Sequence, residues 1–264
     1  MIGGALLATT LAAGAFDHSL FDTLLRRHVA SGMVDYEAFA GAPEFGRYLA
    51  SLDRADTAAL EPEERLAFWI NAYNAYTIQL VNRHGERESI RKINRTAGLF
   101  AGHGPWREKL VKVGGQTYHL DNVEHDIIRK QFKEPRIHFA LVCAAMGCPP
   151  LRSEAYTGAR VFEQLDDQAR TFLLHSPGKN RLDAARRTLY ASPIIATYYR
   201  EDFGANDVAI ARYLSRFWPA GPERALLESG AVRLVPTDYD WTLNSQAKAR
   251  GTRGGPRPSS PASR

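Results

Sequence analysis

Apolar positions along this chain recur mostly at the three- and four-residue spacing of helices, and only briefly at the alternation of strands. Phe16 to Val29 has helical periodicity, and SGMVDYEAF after it reads as a turn leading into a short extended piece. Pro43 to Leu52 predicts a second helix. Pro62 opens a long one that runs through RLAFWINAYNAYTIQLVNRH to about Arg83. Glu61, Glu63 and Glu64 sit around its first turn, where the helix dipole favours acidic groups. Leu110 to Leu120 alternates around Gly114-Gly115, the pattern of a β-hairpin. Asp121, with Glu124 three positions on, predicts a capped start for a helix over VEHDIIRKQF. Arg136 to Cys143 is short and apolar, and its periodicity fits a strand and a buried helix equally. Gly158 to Leu174 and Ala205 to Trp218 predict helices, Pro193 starts another over IIATYYRED, and Leu189 to Ser192 and VRLVP predict short strands. The fold class expected is therefore α+β: a single, mainly helical domain with a small sheet that includes a hairpin near 110–120.

The two ends of the chain change the picture. Residues 245–264 carry five basic residues (Lys248, Arg250, Arg253, Arg257, Arg264), no acidic ones, and much Gly, Pro and Ser. Such a stretch buries too little to offset the entropy of ordering, so a disordered basic tail is expected there. It also accounts for the formal net charge of +5, since +5 − 5 = 0 leaves the body neutral. A neutral body gives no electrostatic footprint for nucleic acid, and no nucleic-acid partner is expected. At the other end, Ile2 to Ala15 carries no charge and closes on Ala13-Gly14-Ala15, an A-x-A cleavage pattern. A signal peptide over 1–15 is expected even though the charged start of such a peptide is missing, which predicts a periplasmic or secreted protein. The run is too short for a stable membrane span, which needs roughly 20 apolar residues. A single globular domain over 16–244 remains, of open oligomeric state.

Within that domain, AFWINAYNAY is apolar on nearly every side except for Asn71 and Asn74. Three residues apart on a helix, the two amides share a face. Either they hydrogen-bond loop backbone and fix the fold, or they line a polar pocket inside an apolar shell.

Both cysteines of the chain fall in RIHFALVCAAMGCPPL, with His138 five residues before Cys143 and Cys148 five residues after it. In one regular element His138 and Cys143 cannot meet, because five residues put them on opposite strand faces or about 140° apart on a helix. His125, flanked by Glu124 and Asp126 at a helix start, is the alternative imidazole partner for a thiol. His103 and His119 are further candidates. A Cys143–Cys148 disulfide requires the segment to turn back on itself, and Gly147 offers the turn. The H-x4-C-x4-C spacing matches no usual zinc site, so no metal is expected, and no nucleotide or other cofactor motif is present.

FWINAYNAY, LDNVEHDIIR, PRIHFALVCAAMGCPPLRSEAY, ASPIIATYYREDF and YDWTLN occur in this order, and together they resemble the domain of unknown function 547 family, over about Phe16 to Asn244. The matching positions are Trp69, Asn71, Asn74, Glu124, His125, Arg129, Arg136, His138, Cys143, Cys148, Pro149, Asp202 and Phe203. The resemblance implies a fold and candidate positions, and it brings no reaction with it. Residue types and analogy with papain- or transglutaminase-like folds suggest a thiol-dependent acyl-transfer or hydrolytic enzyme acting on a small-molecule or peptide substrate. Cys143 would be the nucleophile and His125 the base, oriented by Glu124 or by Asn71 or Asn74, with Arg129 or Arg136 on an anionic or carbonyl group. His138 and Cys148 would line the same site. The alternative is a non-catalytic binding module in which the cysteines are a disulfide or core sulfurs and the polar residues form a buried network.

Overall fold

Helix α4, Pro62–Arg83, occupies the centre of the molecule. Pro62 at its start lacks the N–H that the first turn would leave unpaired, and Glu63 and Glu64 sit at the positive end of the dipole. Every residue from 66 to 78 is buried, so this helix has neighbours on all sides. The computed structural model describes residues 14–94 and 104–247. Most of the expected leader, His103, and the expected tail from 248 onward lie outside those residues.

Helices α1 (Ser19–His28), α2 (Tyr36–Gly41) and α3 (Pro43–Asp53) form one flank, with α2 and α3 against α4 and α1 across them. A tight hairpin joins α1 to α2, pairing β1 (Val29–Ala30) with β2 (Met33–Val34). Its Gly32 has a φ of +77°, and a Cβ there would lie 2.3 Å from that of Pro150, so only glycine fits. The hairpin expected near 110–120 is present as β3 (Val111–Val113) and β4 (Gln116–Tyr118). Gly114 and Gly115, at φ of +58° and +72°, supply the two left-handed positions of its turn.

Helix α5 follows, Asn122–Arg129 with π-helical winding, continued by Lys130–Phe132. The capping expected from Asp121 is not made, and that carboxylate pairs with Arg107 at 3.0 Å instead. His119 and Asn122 cap one another: the Asn122 N–H donates to His119 Nδ1 at 3.0 Å, and the His119 N–H to Asn122 Oδ1 at 3.4 Å. The segment after α5 is neither of the two expected forms. Pro135–Phe139 is a single 3-10 turn, and the chain then runs without regular structure through both cysteines.

A second core gathers Phe139, Phe172, Phe203 and Phe217 between α6 (Val161–Leu174), a three-stranded sheet and three short helices. Strand β6 (Thr188–Ala191) pairs antiparallel with β5 (Arg181–Asp183) and parallel with β7 (Arg233–Pro236), with Leu189 opposite Leu182 and Leu234. The helix expected from Pro193 is two pieces, a π turn over Ile194–Tyr198 and α7 (Arg200–Phe203). Asn206 caps α8 (Asp207–Ser215) by accepting from the Ala209 N–H, and α9 (Pro222–Ser229) precedes β7. The whole is the α+β arrangement expected, helix-rich with small sheets. No helix among the described residues is long and apolar enough to cross a membrane.

The last described residues close the fold. The Gly147 N–H donates to Asp240 O and the Met146 N–H to Thr242 O, both at 2.7 Å, which seats 239–244 along the cysteine loop. Ser245 is buried, and Gln246 donates to His28 O and Met33 O. Tyr239 packs against both cores, and the candidate site lies where they meet.

Candidate functional site

Between the two cores is a cavity of about 280 Å³. α5 contributes Glu124 and His125 to it, the segment after it His138, Leu141 and both cysteines, the π turn before α7 Ile194 and Tyr198, and the residue after that turn Tyr199. Tyr73, Trp106, Tyr239 and Trp241 complete an aromatic wall. Both π-helical stretches therefore border the cavity, a placement common for π turns at functional sites.

Asn71 and Asn74 do not reach this space. Asn71 donates to Tyr156 O at 2.7 Å and accepts from the Tyr156 N–H at 2.9 Å. Asn74 donates to Ala140 O and accepts from the Val142 N–H, both at 3.0 Å. Each amide holds one loop by both of its polar atoms. Asn74 thereby fixes the backbone immediately before Cys143.

The cysteine loop turns at Ala144, whose φ is +64°, and not at Gly147. A non-glycine residue in this region carries strain of about 1–3 kcal/mol, held here by Asn244, whose N–H donates to Ala144 O at 3.1 Å. The turn brings the two cysteine Cα atoms to 6.2 Å, and Cys143 and Cys148 are joined as a disulfide. Gly147 has another role: a Cβ there would lie 2.9 Å from the Tyr239 ring. That close approach puts the Tyr239 hydroxyl 3.1 Å from each sulfur. Burial, with Tyr198 and Glu124 adding to it, pushes the Tyr239 hydroxyl well above the usual range, so it stays a donor to sulfur. Cys148 is fully buried and its sulfur accepts the Cys143 N–H at 3.0 Å, whereas Cys143 is half-buried and is the more open of the two.

His138 and Cys143 line the same cavity despite their five-residue spacing, because the chain leaves the 3-10 turn at Phe139 before it reaches the cysteine. His138 is 2 % exposed and stacks on Tyr199 with ring centres 3.8 Å apart. Its Nε2 donates to Asp202 Oδ2 at 2.6 Å. Hydrogen bonds from His138 and then from Arg129 hold the Asp202 carboxyl far below the usual range against the effect of burial. An ionised partner at Nε2 fixes the hydrogen there and leaves the lone pair of the neutral ring on Nδ1. Nδ1 is buried without a hydrogen-bond partner, and Glu124 Oε1 is 3.9 Å away.

His125 is placed differently. Its Nδ1 accepts from Arg129 Nη1 at 3.2 Å, and no carboxylate is among its hydrogen bonds. Glu124, adjacent in sequence, points to other groups: the Tyr73 and Tyr199 hydroxyls hydrogen-bond it, and it raises both phenols further than burial alone does. Arg129 is held by Asp202 through Nε and Nη2, each at 2.8 Å, and lies outside the lining. Arg136 is also outside it, paired with Glu134 and Asp166 and raised mainly by the Glu134 bond.

The structure thus brings together Glu124, His125, His138, Cys143 and Cys148, and it leaves Asn71, Asn74, Arg129 and Arg136 behind the wall. Asp202, Tyr199 and Tyr239 join them in the structure, and the sequence assigns these three no role although they fall in the motifs ASPIIATYYREDF and YDWTLN. They lie 61 or more residues from His138 and carry no local spacing signal, since 199 − 138 = 61 is the shortest separation.

Residues 57–173 match the profile of DUF547, a family of proteins of unknown function. That span holds α4, the Gly114-Gly115 hairpin, α5, the cysteine loop and nearly all of α6, and supports the resemblance drawn from the motifs there. Asp202, Tyr239 and Trp241 lie beyond it. No curated protein matches the chain, and no solved structure does.

Proposed function

We propose that the cavity is the active site of a thiol-dependent hydrolase or acyl transferase that is latent while Cys143 and Cys148 are bonded. His138, not His125, is its base. The observation that carries this reading is the His138–Asp202 pair: a carboxylate holds one ring nitrogen, and the other is buried and unpartnered in a cavity that Cys143 lines. That is the base-and-orienter arrangement that activates a nucleophile.

An external dithiol first reduces the disulfide, giving two thiols here and a disulfide on the reductant. The Cys143 thiol then passes its proton to His138 Nδ1 as its sulfur attacks a substrate carbonyl carbon. The imidazolium formed lies between the carboxylates of Asp202 and Glu124. As the tetrahedral intermediate collapses, the leaving amine or alcohol takes that proton and a thioester remains on Cys143. Water, deprotonated by the same nitrogen, or a second acceptor releases the acyl group. Tyr239 steadies the departing or returning sulfur by its hydroxyl, and buried Cys148 re-forms the bond to Cys143 by exchange with an external disulfide, which leaves as two thiols.

A second reading rests on the disulfide itself. Cysteines bonded to each other, with Asn71 and Asn74 bound to loop backbone, also suit a binding module with no chemistry. One experiment separates the two. Reduced protein is incubated with p-nitrophenyl acetate, and the acetyl group is located by mass spectrometry. The enzyme reading expects acetylation at Cys143 that turns over and is lost in Cys143→Ala. Labelling of neither cysteine in folded, reduced protein would overturn it in favour of the binding module.

A further inference from the structure

The cavity is unusual in what lines it. Six aromatic rings (Tyr73, Trp106, Tyr198, Tyr199, Tyr239, Trp241) face two carboxylates, Asp121 and Glu124, and no lysine or arginine is among the lining residues described. The two carboxylates differ. Asp121 pairs with Arg107 from outside. Glu124 is 6 % exposed, and its only basic neighbour within ion-pair distance among the described residues is His138 Nδ1. That contact, at 3.9 Å, is beyond hydrogen-bond reach and leaves room for a closer cation. A buried carboxylate gains from a closely paired cation, which a ligand can bring.

Two of the rings already carry a cation at one face, so the faces of Tyr198, Tyr239 and Trp106 are the ones left for a ligand. The Arg129 guanidinium lies 5.3 Å from the centre of Tyr199 and that of Arg91 lies 5.1 Å from Trp241. Tyr239 and Trp241 meet at 4.5 Å, Tyr198 and Tyr239 at 5.7 Å and Trp106 and Trp241 at 6.1 Å, so these rings form one continuous wall. Aromatic faces arranged this way attract a cation through the ring quadrupole, most strongly one too weakly hydrated to prefer water. An ammonium bearing methyl groups has that property and also gains from the apolar surface. A space of about 280 Å³ has room for a group of that size together with the bond that joins it to the rest of the substrate.

We propose that this cavity takes the organic ammonium group of a substrate, quaternary or tertiary, against the aromatic wall with Glu124 as its counter-charge. The proposal rests on the cavity being the substrate site and names the substrate class. The bond broken is then an ester or amide next to a cationic group, on either a free small molecule or a methylated side chain.

Trp106 and Trp241 report binding through their fluorescence. Choline is titrated into the full chain alongside 3,3-dimethylbutan-1-ol, which has the same shape and no charge. The expected result is saturable binding of choline at least about tenfold tighter than the neutral isostere, a preference in the range of desolvated cation–π and ion-pair contacts. Glu124→Gln is expected to remove most of that preference. Tyr198→Leu, at a ring that is 49 % exposed and needs no refolding, is expected to weaken choline several-fold. A parallel titration with Nα-acetyl-trimethyllysine amide separates the sources, the tighter of the two ligands indicating a free small molecule or a peptide side chain. Equal binding of choline and its neutral isostere, or no binding of either, overturns the proposal whatever the variants do. If Cys143 is acetylated yet choline shows no preference, the ammonium assignment fails and the thiol enzyme stands. Choline preference without thiol chemistry is the reverse.

Discussion

His138 donates to Asp202 at Nε2 and keeps Nδ1 buried without a hydrogen-bond partner, beside a cavity that His138 and Cys143 both line. Asp202 does not touch the cavity, so its part is positioning. Replacing it by Asn keeps the shape and removes the charge that fixes the ring hydrogen on Nε2. Turnover of an acyl substrate by reduced Asp202→Asn should fall about 10²–10⁴-fold with KM little changed. A loss confined to KM would show that Asp202 serves only to shape the cavity.

Asn74 joins the central helix to the backbone that precedes the nucleophile. Asn74→Ala leaves Ala140 O and the Val142 N–H unpaired in a buried place, and should cost about 2–4 kcal/mol in denaturant unfolding. Asn74→Asp places a second acceptor against Ala140 O and should be at least as damaging. Equal stability of Asn74→Ala and the parent chain would mean that the loop is held by other contacts.

Gly147 admits the Tyr239 ring. A methyl group there meets the ring at 2.9 Å and must push it away from both sulfurs. Gly147→Ala should lose about 1–3 kcal/mol of stability. In the oxidised protein it should also expose the disulfide, read as faster reduction by dithiothreitol under native conditions. An unchanged reduction rate would show that Tyr239 does not shield the bond.

Much of this architecture is legible in local sequence, because its causes are local. Pro43 and Pro62 open α3 and α4 where their missing N–H groups cost nothing, and Gly114-Gly115 makes a hairpin that few other pairs would. The start of α5 shows the limit. Asp121 is the usual kind of cap, yet the imidazole two residues before it and the amide one residue after it do the capping while Asp121 meets Arg107. The site was half legible. Glu124, His125, His138 and the cysteines lie in motifs, but periodicity separates His138 from Cys143 by assuming one regular element, and the turn at Ala144 breaks that assumption. Asp202 and Tyr239 are brought in by tertiary packing between the two cores, and no residue spacing encodes it.

The acid limb of stability has its own marker, away from the cavity. Burial alone would raise the Glu154 carboxyl, but hydrogen bonds from Arg152 and Gln164, with the charges of Arg152 and Arg160, hold it down to about 2. A folded pKa depressed from the usual 4.5 means stability that is full above about 4.5 and lost as pH falls toward about 2. Glu154→Gln should therefore be less stable than the parent chain at pH 6, with the gap closing between about pH 4.5 and 2 in thermal melts. A gap that stays constant through that window would remove Glu154 from the acid transition.

The central claim is that His138 activates the Cys143 thiol. The most direct test is the rate of iodoacetamide labelling at Cys143 in reduced, folded protein from pH 5 to 9, for the parent chain and for His138→Gln. The account predicts a midpoint at least about one unit below the 8.5 of a free thiol in the parent chain, returning toward 8.5 in the variant. Identical profiles in the two proteins would contradict it and leave Cys143 and Cys148 as a structural bond beside a binding cavity.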